Sequence, residues 1–428
     1  MPADPAECDA FLQENPDVHY IDCVFADLCG VVRGKRIARA ALGEVFRLGI
    51  QIPNTIYFLD ARGDAIEALG PGLPVGDPSG TAWPVSGSIS KVNWSQRPHG
   101  QVLMSLTSGT GEPFFGEPRN VLRRVAGRFA DLGIVPVLGT RLAFYLTERE
   151  RAKTGAPQPL AAGAGLREVL ADISEAAEVQ CLPTAAPVSI SAPDQFEVEL
   201  EQTGDALLAG DRAVFLRQVV RAVARQNGLD ASFMAKPYLE RAGNGMHIQV
   251  GLDGEDGQSA PDDELLRHAI GGLQAVMAES IALFAPSANS HRRFASKSAL
   301  ARNKRWSYAN QTTNIGVTAR PGSAPAIEHR LAGADANPYL AMAAILAGIH
   351  HGVSQQIDPG QPFEGAAASF VDQTMPFNID AALVALENGS ILREYLGPSY
   401  VDLYCAAKRA ELERFRHVIP AHEYDWYM

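Results

Sequence analysis

Two carboxylates and an imidazole, Glu197, His247 and Glu328, form a donor set that can make an open divalent-metal site. Arg293 and Arg330 carry planar guanidinium forks, which suit phosphate or carboxylate contacts. Each residue also has a plainer reading. His247 can be hydrogen-bonded inside a polar pocket, and the two arginines can be ordinary salt-bridge partners. No glycine-rich stretch has P-loop spacing; GDPSG does not fit it.

Strands must position several of these residues. Leu142, Phe144 and Leu146 alternate with Arg141, Ala143 and Tyr145; Phe196, Val198 and Leu200 alternate with Gln195, Glu197 and Glu199. Met246, Ile248 and Val250 oppose His247 and Gln249 in the same way. Three strands with one polar face each predict a curved sheet with a wet concave side. Helices are expected over 119–132, with Val121, Leu122, Val125 and Phe129 on one face, and over 211–227, stopped by Gly228. Further helices are expected over 262–284 and 337–351. Upstream, residues 17–37 hold two β-rich stretches around a Cys29-Gly30 turn, followed by a short helix over 39–48. Residues 49–99, rich in Gly, Pro and Ser, predict a small sheet with long loops.

A chain of 428 residues exceeds what one core usually organises, so a small and a large domain are expected. The net charge of -12 excludes a broad nucleic-acid or anionic-membrane surface, since either partner needs clustered Lys and Arg. Five scattered cysteines make no disulfide framework and point to a reducing cytoplasm. Cys23 and Cys29 read as packed or idle thiols. No targeting segment and no membrane span is expected. KRAELERFR (408–416) reads as a solvated helix face.

Six segments occur in a shared order: DLCGVVRGKRI (27–37), GEPFFGEPRNVLRRV (111–125), PDQFEVEL (193–200), SFMAKPYLERAGNGMHIQVGL (232–252), LFAPSANSHRRF (283–294) and IEHRLAGADANPYLAMAAILAGI (327–349). Over nearly its whole length the chain resembles the glutamine synthetase family, in particular the γ-glutamyl-polyamine synthetase branch. The resemblance implies an α+β fold, with a small β-grasp-like N-terminal domain (1–110) and a large catalytic-type domain (111–428) on a curved antiparallel sheet. It implies stacked homo-oligomeric rings, a dodecamer by analogy, with active sites between subunits. It also implies ATP and Mg or Mn as cofactors, and a small amine or amino-acid-like ligand as partner. Glu197, His247 and Glu328 match metal ligands, Arg293 and Arg330 match phosphate- or carboxylate-contacting arginines, and Asn244 and Gly245 match the substrate loop.

The departures are equally specific. Arg141, Ala143 and Ile190 stand where the family has metal-binding glutamates, and Gln311 and Gly316 stand where it has arginines. The three glutamate losses change the site's formal charge by about +4 at ordinary ionisation states, the charge of two divalent cations. This leads to an expectation that the Arg141 guanidinium lies between Glu197 and Glu328, with one residual divalent metal or none. Three functions stay open at this stage: a carboxylate-amine ligase with an altered metal requirement, a catalytically silent ring component alone or with an active relative, or an ATP-independent enzyme acting on an amide or amine.

Overall fold

The computed structural model describes residues 3–66, 79–95, 97–151, 157–160, 165–254, 263–294, 302–308, 310–318 and 324–428. Its architecture is α+β, built on two sheets. The smaller sheet runs in the order Val32–Ala38, Tyr20–Ala26, His99–Thr107, Ser79–Pro84 and Ile50–Pro53, with Ser90–Val92 on the His99–Thr107 strand. Its Tyr20–Ala26 and His99–Thr107 strands pair in parallel, and every other pair is antiparallel.

The larger sheet is organised by one long strand, Ile134–Arg151. Met246–Gly254 pairs along its first half, Gln195–Thr203 along its other edge, and Leu229–Ser232 near its end. Ala326–His329 and Ile315–Thr318 extend the sheet beyond Met246–Gly254. The outermost pair, Trp306–Tyr308 with Ile315–Thr318, is parallel, so the expected antiparallel sheet is mixed at this edge. Alternation behaves as the sequence pattern requires: Leu142, Phe144, Leu146, Phe196, Val198, Met246 and Ile248 are buried, whereas Arg141, Glu197 and His247 are half-buried on the concave side.

Helices cover the other face. Pro338–Ser354 is apolar all round and almost wholly buried, as a central helix must be. Asn337 caps it by accepting from the Tyr339 amide, and donates its own side-chain amide to the carbonyls of Asp27 and Leu28. One residue thus starts the central helix and fastens the small sheet to it. Ala206–Gln226 begins five residues earlier than periodicity predicts, because Asp205 accepts from the Leu207 and Leu208 amides. It ends at Gly228, whose φ of +75° favours glycine.

Three local expectations need correction. The helix expected over 119–132 is α-helical only over Pro118–Gly127 and continues as a 3₁₀ turn, Arg128–Leu132. A helix at Pro5–Glu14, capped by Asp4, has no counterpart in the pattern reading. The segment 408–416 does lie on a helix, Pro398–Arg416, but it is not wholly a solvated face: Lys408 and Leu412 are buried. Lys408 Nζ sits 3.3 Å from the Cys29 sulfur and 3.2 Å from Glu411, so that thiol is a packed contact of a buried cation.

Candidate active site

Strand register brings the distant residues together. Arg141 lies opposite His247 on one neighbouring strand and opposite Glu199 on the other; Ala143 lies opposite Glu197. Glu328 lies opposite Gln249, one strand further. Arg141, Glu197, His247 and Glu328 therefore meet on one concave face, although 187 positions separate the first from the last.

Glu328 is the hub. It is 1% exposed and takes an ion pair from the Arg141 guanidinium on Oε1 and a 2.7 Å hydrogen bond from Arg330 Nε on Oε2. Arg141 also reaches Glu197, at 3.6 Å. His247 Nδ1 stands 3.7 Å from Glu328 Oε1, without a hydrogen-bond partner among the described residues. Burial, reinforced by Arg141, Arg293 and Arg330, pulls His247 down to about 3, so its imidazole is neutral. Burial raises Glu197, against the opposing pull of Arg141 and with a small push from Glu199. Among the described residues no group of three or more His, Cys, Asp or Glu is placed to hold a metal ion.

Above this floor opens a cavity of about 490 Å3. Glu197, Gly245, His247, Arg293 and Arg330 line it, so five of the seven residues singled out for metal, substrate or phosphate contact share one space. Asn244 does not line it. It is fully buried and works as a brace, donating to the Ser232 and Met234 carbonyls and accepting from Gln195. Glu328 lies beneath the lining rather than in it. Ala143, Ile190 and Leu239 supply apolar wall.

The arginines are held by backbone. Arg330 donates to the carbonyls of Asn310 and Thr313, at 2.8 and 3.2 Å, and Arg293 to Leu331, at 3.0 Å. Gly316 packs against the same side chain: a Cβ at that position would come 2.6 Å from Arg330 Nη2, so a larger residue there would have to displace that guanidinium. Gly245 has a similar duty, since its Cβ would sit 3.2 Å from Arg293 Nη2 and 3.3 Å from His247 Nε2.

Pattern reading gave no role to four contributors. Lys236 lines the cavity and donates to the Arg241 carbonyl. Arg241 forms a two-pronged pair with the buried Asp194, at 2.8 and 2.9 Å, and Tyr145 donates to the Ala242 carbonyl, so the loop 240–245 is pinned on both sides. The adjacency of Asp194 to the Gln195–Thr203 strand was visible, but its partner 47 residues away was not.

Comparison with known proteins bears on the family and the fold. The profile described as "Glutamine synthetase, catalytic domain" matches residues 115–427. Gamma-glutamylputrescine synthetase PuuA of Escherichia coli (strain K12) is 34% identical, covering 98% of this chain and 94% of the relative. Glutamate–isopropylamine ligase of a Pseudomonas species is 27% identical, covering 92% of each. The solved structure "Apo GmaS without ligand" superposes with a TM-score of 0.84 over 98% of both chains at 24% identity, which speaks to fold alone. With profile, full-length relatives and fold in agreement, the chain belongs to the glutamine synthetase family.

Proposed function

We propose that this protein binds an anionic, amino-acid-like ligand in the family cavity, and that ordinary glutamine synthesis is not its reaction. The observation that carries the reading is the Arg141 guanidinium between Glu197 and Glu328. A divalent ion sharing Glu328 with that guanidinium at about 4 Å would meet gross repulsion on the order of 8 kcal/mol at an effective dielectric near 20. Both Glu328 oxygens already face cations, and His247 has no second carboxylate to itself. The residues present fit a guanidinium better than a metal ion, so no step is routed through magnesium, manganese or a metal-held ATP.

The cavity's own charge supports an anionic ligand. Lys236, Arg241, Arg292, Arg293 and Arg330 line it against two carboxylates, Glu197 and Glu240. Arg330 and Arg293 would hold a carboxylate by charge-assisted hydrogen bonds, the neutral His247 would accept or donate a single one, and the apolar wall would take an alkyl chain. A homo-oligomeric, cytoplasmic ring, alone or mixed with an active relative, is the assembly that accords with the family pattern. The relatives named for glutamate-amine ligation favour an amine as the second ligand.

Calorimetry and an ADP-release assay test this together. Glutamate is expected to bind in EDTA, and magnesium or manganese with ATP, glutamate and putrescine, isopropylamine, ethanolamine or ammonia is expected to release no ADP above background. Metal-dependent ADP release with any of these amines would overturn the reading and restore a ligase with an altered metal requirement.

A further inference from the structure

A second cavity, of about 440 Å3, lies away from the first, between the Cys29–Gly30 turn, the strand Leu229–Ser232 and the helix Ala206–Gln226. That helix presents Arg217, Arg221 and Arg225 to it at four-residue intervals, which places three guanidinium groups in one stripe. Like charges at this spacing repel, so the helix carries a cost that something should offset.

The deepest of the three, Arg217, is 4% exposed. Its Nη1 donates to the carbonyls of Ala334 and Ala336, at 3.0 and 3.1 Å. Its Nη2 is buried and has no hydrogen-bond partner among the described residues. Burial, with Arg221 adding, draws this guanidinium down to about 9, which marks a cation short of compensation. Gly30, at φ +71°, keeps the approach to Nη2 open, because a Cβ there would stand 3.1 Å from it.

Most oxygens of the neighbouring carboxylates are engaged elsewhere, although the buried Asp335 Oδ1 has no hydrogen-bond partner among the described residues and partly offsets Arg217. Glu411 is paired with Lys408 at 3.2 Å, Asp230 faces Arg225 at 3.5 Å, and Asp335 Oδ2 accepts from Ser290 at 2.6 Å and Ser287 at 3.3 Å. Arg221 makes no ion pair among the described residues and lies over the Phe233 ring, 5.1 Å from its centroid. We propose that this cavity is an oxyanion site for a phosphate group, with Arg217 Nη2 at its floor and Arg221 and Arg225 at its mouth. Guanidinium forks match phosphate oxygens in geometry as well as charge. The space exceeds what one phosphate fills, so a small phosphomonoester fits as well as the free ion. The two cavities have no lining residue in common; the buried Asp335 carboxylate, which lines this one, also acts on Arg293 of the first.

Titration calorimetry with inorganic phosphate and, separately, phenyl phosphate at constant ionic strength tests the assignment. The expected result is saturable binding that survives Arg330→Gln in the first cavity and weakens about tenfold or more in Arg221→Gln. Arg225→Gln, at a largely exposed side chain where misfolding is not a concern, should weaken it severalfold. Tighter binding of phenyl phosphate would make the ligand an ester rather than the free ion. No saturable binding in the unaltered protein, or binding that Arg330→Gln removes and Arg221→Gln and Arg225→Gln leave intact, would overturn the proposal.

Discussion

Two of the arginine–carboxylate clusters among the described residues are built differently. In the first, Arg119 grips Asp211 with two bonds of 2.8 and 2.9 Å, and Tyr339 donates to the same carboxylate at 2.7 Å. Each charge there has its partner, and Arg119, whose ionisation is raised by Asp211, stays a cation. In the second, Glu328 is shared by Arg141 and Arg330, His247 Nδ1 and Arg141 Nε lack hydrogen-bond partners among the described residues, and the whole opens to a cavity. The closed cluster joins the Pro118–Gly127, Ala206–Gln226 and Pro338–Ser354 helices. The open one leaves donors unspent, which is the condition of a surface that binds something.

The contrast is sharpest for stability. Asp211→Ala would strand a buried guanidinium and is expected to cost about 3–5 kcal/mol by urea unfolding. Arg141→Ala should cost clearly less, because it also relieves crowding around Glu328. Equal losses would mean that the open cluster is structural too.

A neighbour of the closed cluster gives a pH signature. Burial raises Glu117 from 4.5 to about 7, while its Oε2 accepts from the Leu106 amide and from Asn120. Between those values the unfolded chain has released the proton and the folded one retains it, so stability is full below about 4.5 and falls as pH rises to about 7. The loss amounts to about 3 kcal/mol. Glu117→Gln should flatten that slope in unfolding measured from pH 4.5 to 7; an unchanged slope would remove Glu117 as its source.

Rebuilding the open cluster is the next test. Arg141→Glu with Ala143→Glu and Ile190→Glu is expected to lose about 1–3 kcal/mol in EDTA, from carboxylates crowded without a counter-ion. Manganese should return it as a rise in melting temperature that the unaltered protein lacks. A manganese-dependent rise in the unaltered protein would instead show its site to be metal-competent. Ile190→Glu alone, at an exposed side chain, should shift stability by less than about 0.5 kcal/mol.

Much of this arrangement was legible beforehand. Alternation in three strands assigned Arg141, Glu197 and His247 to one face, and the segments GNGMH and IEHR located Gly245, Glu328 and Arg330. Side-chain alternation is a local property, so it survives into the fold. The brace role of Asn244 was not legible, nor was the clasp of Asp194 on Arg241, because neither partner lies on the same element. Gly316 reads as a lost arginine, and only the fold shows that it packs against the Arg330 guanidinium, which a side chain at 316 would have to displace.

By itself the sequence made the family legible, through six segments that resemble it, and assigned Arg141, Glu197 and His247 to one polar face. The face assignment follows from local periodicity, the family from the resemblance of those segments. Only the tertiary structure decided that Arg141 shares Glu328 with Arg330, that Lys408 is buried against Cys29, and that Arg217 holds a donor in reserve beneath Gly30. Such pairings depend on strand register and helix packing across hundreds of residues, which no local pattern encodes.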